Sequence, residues 1–152
     1  MIKKTIKYLL CLIPWFITSI LPLNYKYYDK IIKPSFAPPS IFYTVAWSII
    51  YILLAYTIYS IIKDQYIKEL PISYKRILIV NCIFNQSFTI LFFGLNNNFL
   101  GFASCLGTLI TSLFLYLETE NIIGNKKYIL IPYILLSIFA CTLSLSIYLL
   151  NI

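Results

Sequence analysis

Charged residues divide this chain into long apolar runs. No charge occurs from Tyr8 to Tyr25, from Ile41 to Ile62 or from Ile77 to Leu117. A helix of about 20 apolar residues crosses a bilayer core of about 30 Å. The third run is too long for one helix, and its three consecutive asparagines, 96–98, mark a turn. The pattern predicts an all-α membrane protein, a five-transmembrane-helix bundle with helices at about 8–23, 41–62, 77–95, 99–117 and 128–150.

The segment 24–40 has a different character. Pro34, Pro38 and Pro39 cannot lie inside a helix, because proline lacks a backbone N–H and restricts the residue before it. A rigid loop with aromatic neighbours therefore leads directly into the predicted helix 41–62. We expect this loop to cover the bundle like a lid, and the chain 1–152 to form a single membrane domain.

The positions of Lys and Arg predict the orientation. Nine of them lie in the N-terminal tail and in the connections after the second and fourth predicted helices, whereas three lie in the loop 24–40. The positive-inside rule then places the N-terminus in the cytoplasm, and the loop and the C-terminus outside. The net charge of +7 is explained by topology, so no nucleic-acid partner is expected. The basic start also fits a secretory signal, but no small-x-small cleavage site follows.

Composition argues against common catalytic chemistry. Histidine is absent, and 11% of residues are charged where soluble proteins have about 25%. All five acids lie in predicted loops, so acid–base catalysis is poorly supported. Cys11, Cys82, Cys105 and Cys141 lie in different apolar runs and form no C-x-x-C pair, which favours packing. We expect no catalytic residue, metal site or bound cofactor.

Helical spacing predicts two faces that could form a pocket. An aromatic face of the second helix carries Tyr43, Trp47, Tyr51 and Ala55. A polar and aromatic face of the third helix carries Asn81, Asn85, Phe88 and Phe92. Amides are costly in hydrocarbon unless paired, so Asn81 and Asn85 should point into the bundle. These faces fit a flat, largely apolar ligand, although from the residues alone aromatic packing and Asn pairs that join helices are the more common explanation.

Small residues form stripes on the last two predicted helices. The fourth helix carries Gly101, Ser104, Thr108 and Thr111, and the fifth carries Ser137, Ala140 and Ser144. Such stripes let helices approach closely. They predict packing within the bundle or a homodimer contact, with Gly101 better placed for a dimer than for a ligand.

Three motifs resemble the TspO/MBR family, which comprises tryptophan-rich sensory proteins and translocator (peripheral-type benzodiazepine receptor) proteins. The first is Tyr27-Tyr28-Asp29 followed by Lys33-Pro34-Ser35-Phe36-Ala37-Pro38-Pro39, Ala46-Trp47 and Tyr51. The second is Phe84-Asn85 with Phe92-Phe93-Gly94, and the third is Pro132-Tyr133. The resemblance covers nearly the whole chain. It implies a five-helix bundle, often dimeric, that binds porphyrins and related tetrapyrroles, with cholesterol or benzodiazepine-type ligands in some members.

The resemblance also implies a ligand site. Matched by position, the ligand-binding residues would be Tyr28, Pro38, Trp47, Tyr51, Asn85, Phe92 and Ala140. Some family positions differ: Gln86 and Phe88 stand where many members have tryptophan, Leu136 replaces the tryptophan after Pro-Tyr, and Ser144 replaces an asparagine. The missing tryptophan weakens the case for the light-driven porphyrin breakdown proposed for relatives. No Lys or Arg follows Tyr148, so the cholesterol-recognition pattern is absent.

Two classes of function therefore compete with the leading one. The leading hypothesis is an integral protein of the bacterial cell membrane that binds, and transports or senses, porphyrin, haem or another hydrophobic small molecule. The first alternative is a porphyrin-degrading enzyme. The second is a regulatory membrane protein that acts through a helix-binding partner. The lipid bilayer is a partner in every case, and the resemblance allows a homodimer.

Overall fold

The structure, a computed structural model, describes residues 2–63 and 69–152 and is all-α, without a β-strand in those ranges. Within these two ranges it has six α-helices: α1 (Ile2–Phe16), α2 (Tyr27–Lys30), α3 (Ser40–Ile62), α4 (Ile72–Phe88), α5 (Asn98–Ile123) and α6 (Ile131–Leu150). A π-helical segment, Thr89–Gly94, extends α4, and 3-10 turns follow α1 and α5. Asp64 and Lys68, predicted to lie in the connection before α4, are outside the described residues.

The all-α class is confirmed, but the predicted count of helices is not fully matched. The loop 24–40 contains the one-turn helix α2. Three stretches of the described chain are long and apolar enough to cross a membrane, namely Ser40–Ile62, Ile72–Gly94 and Asn98–Leu150. The last stretch contains both α5 and α6, and α1 is not among the three. The count of five spans therefore stays a prediction.

Helix ends differ from the predicted ones where charged residues continue a helix. Helix α1 begins at Ile2 rather than near residue 8, and α4 begins at Ile72 rather than near 77. Lysine and arginine are good helix formers, so a helix extends past the end of the apolar run. The asparagine turn is as predicted: Asn96 has a φ of 51° and Asn97 caps α5 by accepting a hydrogen bond from Leu100 N.

The five long helices form a closed ring, in the order α1, α3, α6, α5, α4. Trp15 stacks on Tyr51 between α1 and α3, and Trp47 meets Tyr133 between α3 and α6. The remaining neighbours are in contact through three pairs of residues: Cys105 with Ser144, Asn81 with Thr111, and Gln86 with Thr18. Helices α4 and α5 run antiparallel, because Ser73 at the start of α4 bonds Glu118 near the end of α5. Helices α1 and α4 run in the same direction, since Gln86 near the end of α4 bonds Thr18 just after the end of α1. Side chains from every long helix therefore surround the centre of the ring.

The small-residue stripe on α5 packs within the chain. Gly101 is buried, and a methyl group in place of its hydrogen would lie 2.7 Å from Phe92 Cδ2. Gly107 faces the ring of Phe84 in the same way. The expectation that Gly101 is better placed for a dimer is therefore wrong, because the space beside it is filled by the neighbouring helix.

Many apolar side chains face outward, and several polar ones are buried inside the bundle. Large aliphatic side chains such as Ile49, Ile83 and Leu135 are more than half exposed. Asn81 and Asn85 are buried, as predicted. This distribution suits a hydrocarbon environment, where polar groups need partners inside the protein.

Candidate functional site

A cavity of about 610 Å³ lies at the centre of the helix ring. A volume of this size falls within the range of small-molecule sites, about 300–1,000 Å³. Side chains from all five long helices and from the loop 24–40 line it. The central ones are Phe16, Tyr43, Trp47, Tyr51, Asn85, Phe88, Phe92, Cys105, Thr108, Ser137, Ala140, Leu143, Ser144 and Ile147.

Six of the seven residues expected at the ligand site line this one cavity. They are Tyr28, Trp47, Tyr51, Asn85, Phe92 and Ala140. The seventh, Pro38, does not line it but accepts a hydrogen bond from Tyr28 Oη at 3.0 Å. Residues distant in sequence therefore surround one cavity, and Pro38 contributes to it indirectly, through its hydrogen bond with Tyr28.

Two aromatic surfaces, on different helices, line the cavity. On α3, the rings of Trp47 and Tyr51 are 5.8 Å apart, and Phe16 of α1 meets Tyr51 edge-on at 5.2 Å. On α4 and the π-helical segment, Phe88 and Phe92 stack at 5.1 Å with an interplanar angle of 12°. Aromatic faces at these positions can stack on a flat ring system.

The π-helical turn contributes to the second wall. It places Phe92 inside, and it brings Phe92 within 5.4 Å of Tyr27 and Phe93 within 5.2 Å of Tyr25. Such turns are rare and often occur at functional sites. Here the turn joins the cavity wall to the loop above it.

A hydrogen-bond network crosses the floor of the cavity. Tyr51 Oη donates to Asn85 Oδ1 at 2.8 Å, and Tyr133 Oη donates to Asn81 Oδ1 at 2.9 Å. Asn85 Nδ2 lies 3.5 Å from Tyr133 Oη, and Asn81 Nδ2 donates to Thr111 Oγ1 at 2.8 Å. The network links four helices, and buried polar groups with partners fix one arrangement of the bundle.

Gln86 connects the network to α1. Its Nε2 donates to Trp15 O at 3.0 Å and to Asn85 Oδ1 at 3.2 Å, and its Oε1 accepts from Thr18 Oγ1 at 2.7 Å. The carbonyls at the end of a helix have no partner within it. Gln86 therefore satisfies the end of α1 and holds Asn85 in place at once.

The cavity opens beside the loop 24–40. Its exposed lining residues are Ser19, Tyr25, Lys26, Asp29, Ser40, Ile41 and Thr44, all near the end of α1, in the loop or at the start of α3. Tyr28 covers the mouth from inside, and Lys33 Nζ holds it by donating to Tyr28 O at 3.1 Å and lying 4.6 Å from its ring centroid. Both charged lining residues, Lys26 and Asp29, belong to this mouth.

Sequence reasoning missed several contributors. Phe16 and Cys105 line the cavity, and neither stood out as more than an apolar residue. Asn81 was expected on the same face as Asn85, but it bonds away from the cavity to Thr108 O and Thr111 Oγ1. Among the described residues, no cluster of three His, Cys, Asp or Glu could hold a metal ion.

Known proteins resemble this chain over most of its length. A sequence profile of the TspO/MBR family matches residues 7–150. The tryptophan-rich protein TspO of Bacillus cereus is 33% identical over 138 residues, which cover 90% of this chain and 89% of that protein. The tryptophan-rich protein TspO of Archaeoglobus fulgidus is 26% identical over 129 residues, covering 82% and 80%. The uncharacterized membrane protein YtaB of Bacillus subtilis is 26% identical over 133 residues, covering 88% and 85%.

Proposed function

Because this chain belongs to the TspO/MBR family, we propose that it is an integral membrane protein that binds tetrapyrroles, porphyrin or haem among them, in the central cavity. The observation that supports this most is the cavity's form. Aromatic side chains of α3 and of α4 with its π-helical segment line it, the floor carries neutral hydrogen-bonding groups, and a cation, Lys26, is at the mouth. A flat ring system with acidic substituents at one edge matches each of these features.

We propose five membrane spans, formed by α1, α3, α4 with its π-helical segment, α5 and α6. We further propose that the N-terminus lies in the cytoplasm of a bacterial cell and the loop 24–40 outside. The excess of Lys and Arg at one end of the bundle supports this orientation. The mouth of the cavity then opens on the outer side. Ligand would reach the cavity beside the loop 24–40, where the exposed lining residues lie.

The mouth suits uptake and release of a ligand, and hence transport or sensing. The loop is attached to the bundle through hydrogen bonds of single side chains, such as that from Tyr27 Oη to Asn98 Oδ1 at 3.0 Å. Contacts of this kind are each worth about 1 kcal/mol, so the loop can open without unfolding the bundle.

The test is a titration of the detergent-purified protein with protoporphyrin IX in the dark. Tryptophan fluorescence and porphyrin absorbance are both followed, because a tryptophan substitution also removes a reporter. The chain has two tryptophans. Trp47 lines the cavity, whereas Trp15 is buried behind Tyr51.

We expect saturable binding that weakens in Trp47→Phe and in Asn85→Ala when read by absorbance. Trp15→Phe is the matched control and should bind as the wild type does, with the remaining quenching reporting Trp47 alone. Equal absorbance titrations for the wild type, Trp47→Phe and Asn85→Ala would show that the ligand lies elsewhere. An absence of saturable binding to the wild type would reject the ligand class itself.

A further inference from the structure

Cys105 on α5 places a thiol in the wall of the central cavity. Proteins hold haem iron through histidine, cysteine, methionine or tyrosine. The chain has no histidine, and its one methionine, Met1, lies outside the described residues. Among the described residues that line the cavity, Cys105 alone carries a sulfur atom. The candidates for binding an iron atom there are therefore Cys105 and the tyrosines of the lining.

The tyrosine hydroxyls of the lining are engaged elsewhere. Tyr25, Tyr28 and Tyr51 each donate to an oxygen atom of the protein, and Tyr43 Oη lies 3.4 Å from Tyr28 Oη. Iron bound to a tyrosine oxygen would replace one of these hydrogen bonds, and a buried acceptor left without its donor is costly. Cys105 has the simpler surroundings, because its sulfur lies 3.3 Å from a hydroxyl, Ser144 Oγ.

The wall around Cys105 is built from small side chains. Thr108 of α5 and Ser137, Ala140 and Ser144 of α6 line the same cavity, and Cys105 packs in one cluster with Ala140. Ser137 is 1% exposed, and its Oγ has no hydrogen-bond partner in the described chain. A buried group of this kind indicates a wall that is not complete by itself. Small side chains also allow the face of a flat ring to approach the sulfur.

The charge of ferric haem fits a thiolate at this wall. The core of ferric haem carries one positive charge. The charged lining residues, Lys26 and Asp29, are exposed at the mouth, and the other described lining side chains are neutral. An unpaired charge in such surroundings is strongly unfavourable. A thiol that binds a metal is deprotonated, so Cys105 would neutralise the core, and the Ser144 hydroxyl would donate a hydrogen bond to the sulfur.

We propose that Cys105 Sγ is an axial ligand of haem iron in the central cavity, so that the cavity takes ferric haem in preference to the iron-free porphyrin. The porphyrin itself holds the iron, so one protein ligand is sufficient. The Cys105 thiol loses its proton through the mouth to the solvent as its sulfur bonds the iron, and no electron is transferred. This inference rests on the proposed tetrapyrrole function and adds the ligand class to it.

Ferric protoporphyrin IX (hemin) and protoporphyrin IX test the ligation as a matched pair, since they differ in the iron. In absorbance titrations of the detergent-purified protein, Cys105→Ser should weaken hemin binding about tenfold or more. It should change protoporphyrin IX binding less than twofold, because serine is close to cysteine in size. Cys141→Ser is the control, because Cys141 is buried in the same cluster but does not line the cavity. It should change neither affinity.

Resonance Raman spectroscopy of the ferric complex supplies a readout that a purely structural role would not change. The wild type should show an iron–sulfur stretch that moves to lower frequency when the protein is labelled with a heavier sulfur isotope. The band should be absent in Cys105→Ser and present in Cys141→Ser. If Cys105→Ser does not fold, the wild-type spectrum still decides.

Two results would overturn the ligation while leaving the proposed function intact. The first is a wild-type hemin complex without an isotope-sensitive iron–sulfur band. The second is equal weakening of hemin and protoporphyrin IX binding in Cys105→Ser. Failure of both ligands to bind the wild type would overturn the ligation and the proposed function together.

Discussion

Asn151 makes two hydrogen bonds to the backbone of Ile32, 119 residues away in sequence. Ile32 N donates to Asn151 Oδ1 at 3.0 Å, and Asn151 Nδ2 donates to Ile32 O at 2.8 Å. The same Nδ2 donates to Ile147 O at 2.8 Å, which attaches the pair to the end of α6. The loop that covers the cavity is thus fixed to the last helix by one amide group.

Substitution of Asn151 by alanine should loosen the loop. It removes both bonds to Ile32, each worth about 0.5–1.5 kcal/mol, whereas the ring of long helices stays intact. We expect faster hydrogen exchange at the amide of Ile32 and faster release of a bound porphyrin, with little change in thermal stability. Exchange mass spectrometry and stopped-flow absorbance measure the two rates.

Asn125→Ala is the matched control for this variant. Asn125 is exposed in the 3-10 turn between α5 and α6, at the opposite end of the bundle from the loop. Its substitution should leave both rates unchanged. If Asn151→Ala exchanges at Ile32 as slowly as the wild type, then the loop is held by its other contacts and Asn151 is dispensable.

Tyr133→Phe should destabilise the bundle through the floor network. The variant leaves Asn81 Oδ1 without the hydroxyl that donates to it at 2.9 Å. Hydrogen bonds between membrane helices are worth about 0.6 kcal/mol on average and up to about 1.7 kcal/mol. Because this oxygen has zero exposure to water, we expect a loss near the upper value. Unfolding in mixed micelles with increasing denaturing detergent measures the change.

Tyr56→Phe gives the comparison for that experiment, since Tyr56 is 49% exposed on the outer surface. It should unfold at the same detergent fraction as the wild type. Equal unfolding of Tyr133→Phe would mean that Asn81 finds another donor, and the network would then contribute nothing specific to stability.

Gly101→Ala should disturb both the packing and the cavity. The added methyl would lie 2.7 Å from Phe92 Cδ2 and 3.2 Å from Phe92 Cβ, so a simple ring rotation does not relieve the contact. Overpacking of this kind costs about 1–3 kcal/mol. Because Phe92 also lines the cavity, we expect lower thermal stability and weaker porphyrin binding together. The unfolding can be followed with a thiol-reactive dye, since Cys11, Cys105 and Cys141 are buried.

Gly94→Ala is the appropriate control for Gly101→Ala. Its methyl would meet Leu23 Cδ2 at 3.4 Å, an ordinary contact, and alanine restricts the unfolded chain more than glycine does. The melting temperature should stay the same or rise slightly. If both variants lost thermal stability and porphyrin binding to the same extent, the cause would be a general intolerance of substitution and not the contact with Phe92.

The sequence predicts the long helices well because a single physical quantity, the length of an apolar run, determines them. It does not predict α2 or the π-helical turn, since Tyr27–Lys30 and Thr89–Gly94 have no local signal that distinguishes them from an ordinary loop and an ordinary helix. Helix ends are also misplaced where lysines continue a helix beyond the apolar run, as in α1.

The candidate site, too, is only partly predictable from the sequence. The aromatic faces of α3 and α4 follow from helical spacing, which is a local property. The partners of Asn85 depend on how three helices rotate relative to one another, and no periodicity contains that information. Gln86 stood out in the sequence only as a replaced tryptophan. Its role in joining α1 to Asn85 emerges once both helices are placed.

Lys26 should bind the acidic edge of the ligand. Of the lysines in the loop 24–40, it lines the cavity, whereas Lys33 is engaged with Tyr28. An exposed ion pair is worth about 0.2–1 kcal/mol, so Lys26→Gln should weaken protoporphyrin IX binding up to about fivefold. This loss of affinity should vanish when the ligand is the dimethyl ester of protoporphyrin IX, which has no carboxylates. It should also become smaller at high salt. Lys30→Gln, which removes an exposed lysine outside the cavity lining, should bind as the wild type does.

Asp29 lies at the same mouth, and its substitution should have the opposite effect on porphyrin affinity. Its carboxylate lines the cavity and is exposed, so it repels an acidic ligand that Lys26 attracts. Asp29→Asn should therefore tighten protoporphyrin IX binding and leave the dimethyl ester unaffected. Absorbance titrations of both porphyrins against the two variants measure all four changes. If Lys26→Gln and Asp29→Asn shift the affinity in the same direction, or shift it equally for the ester, then the propionates do not lie at this mouth and the ligand enters the cavity in another orientation.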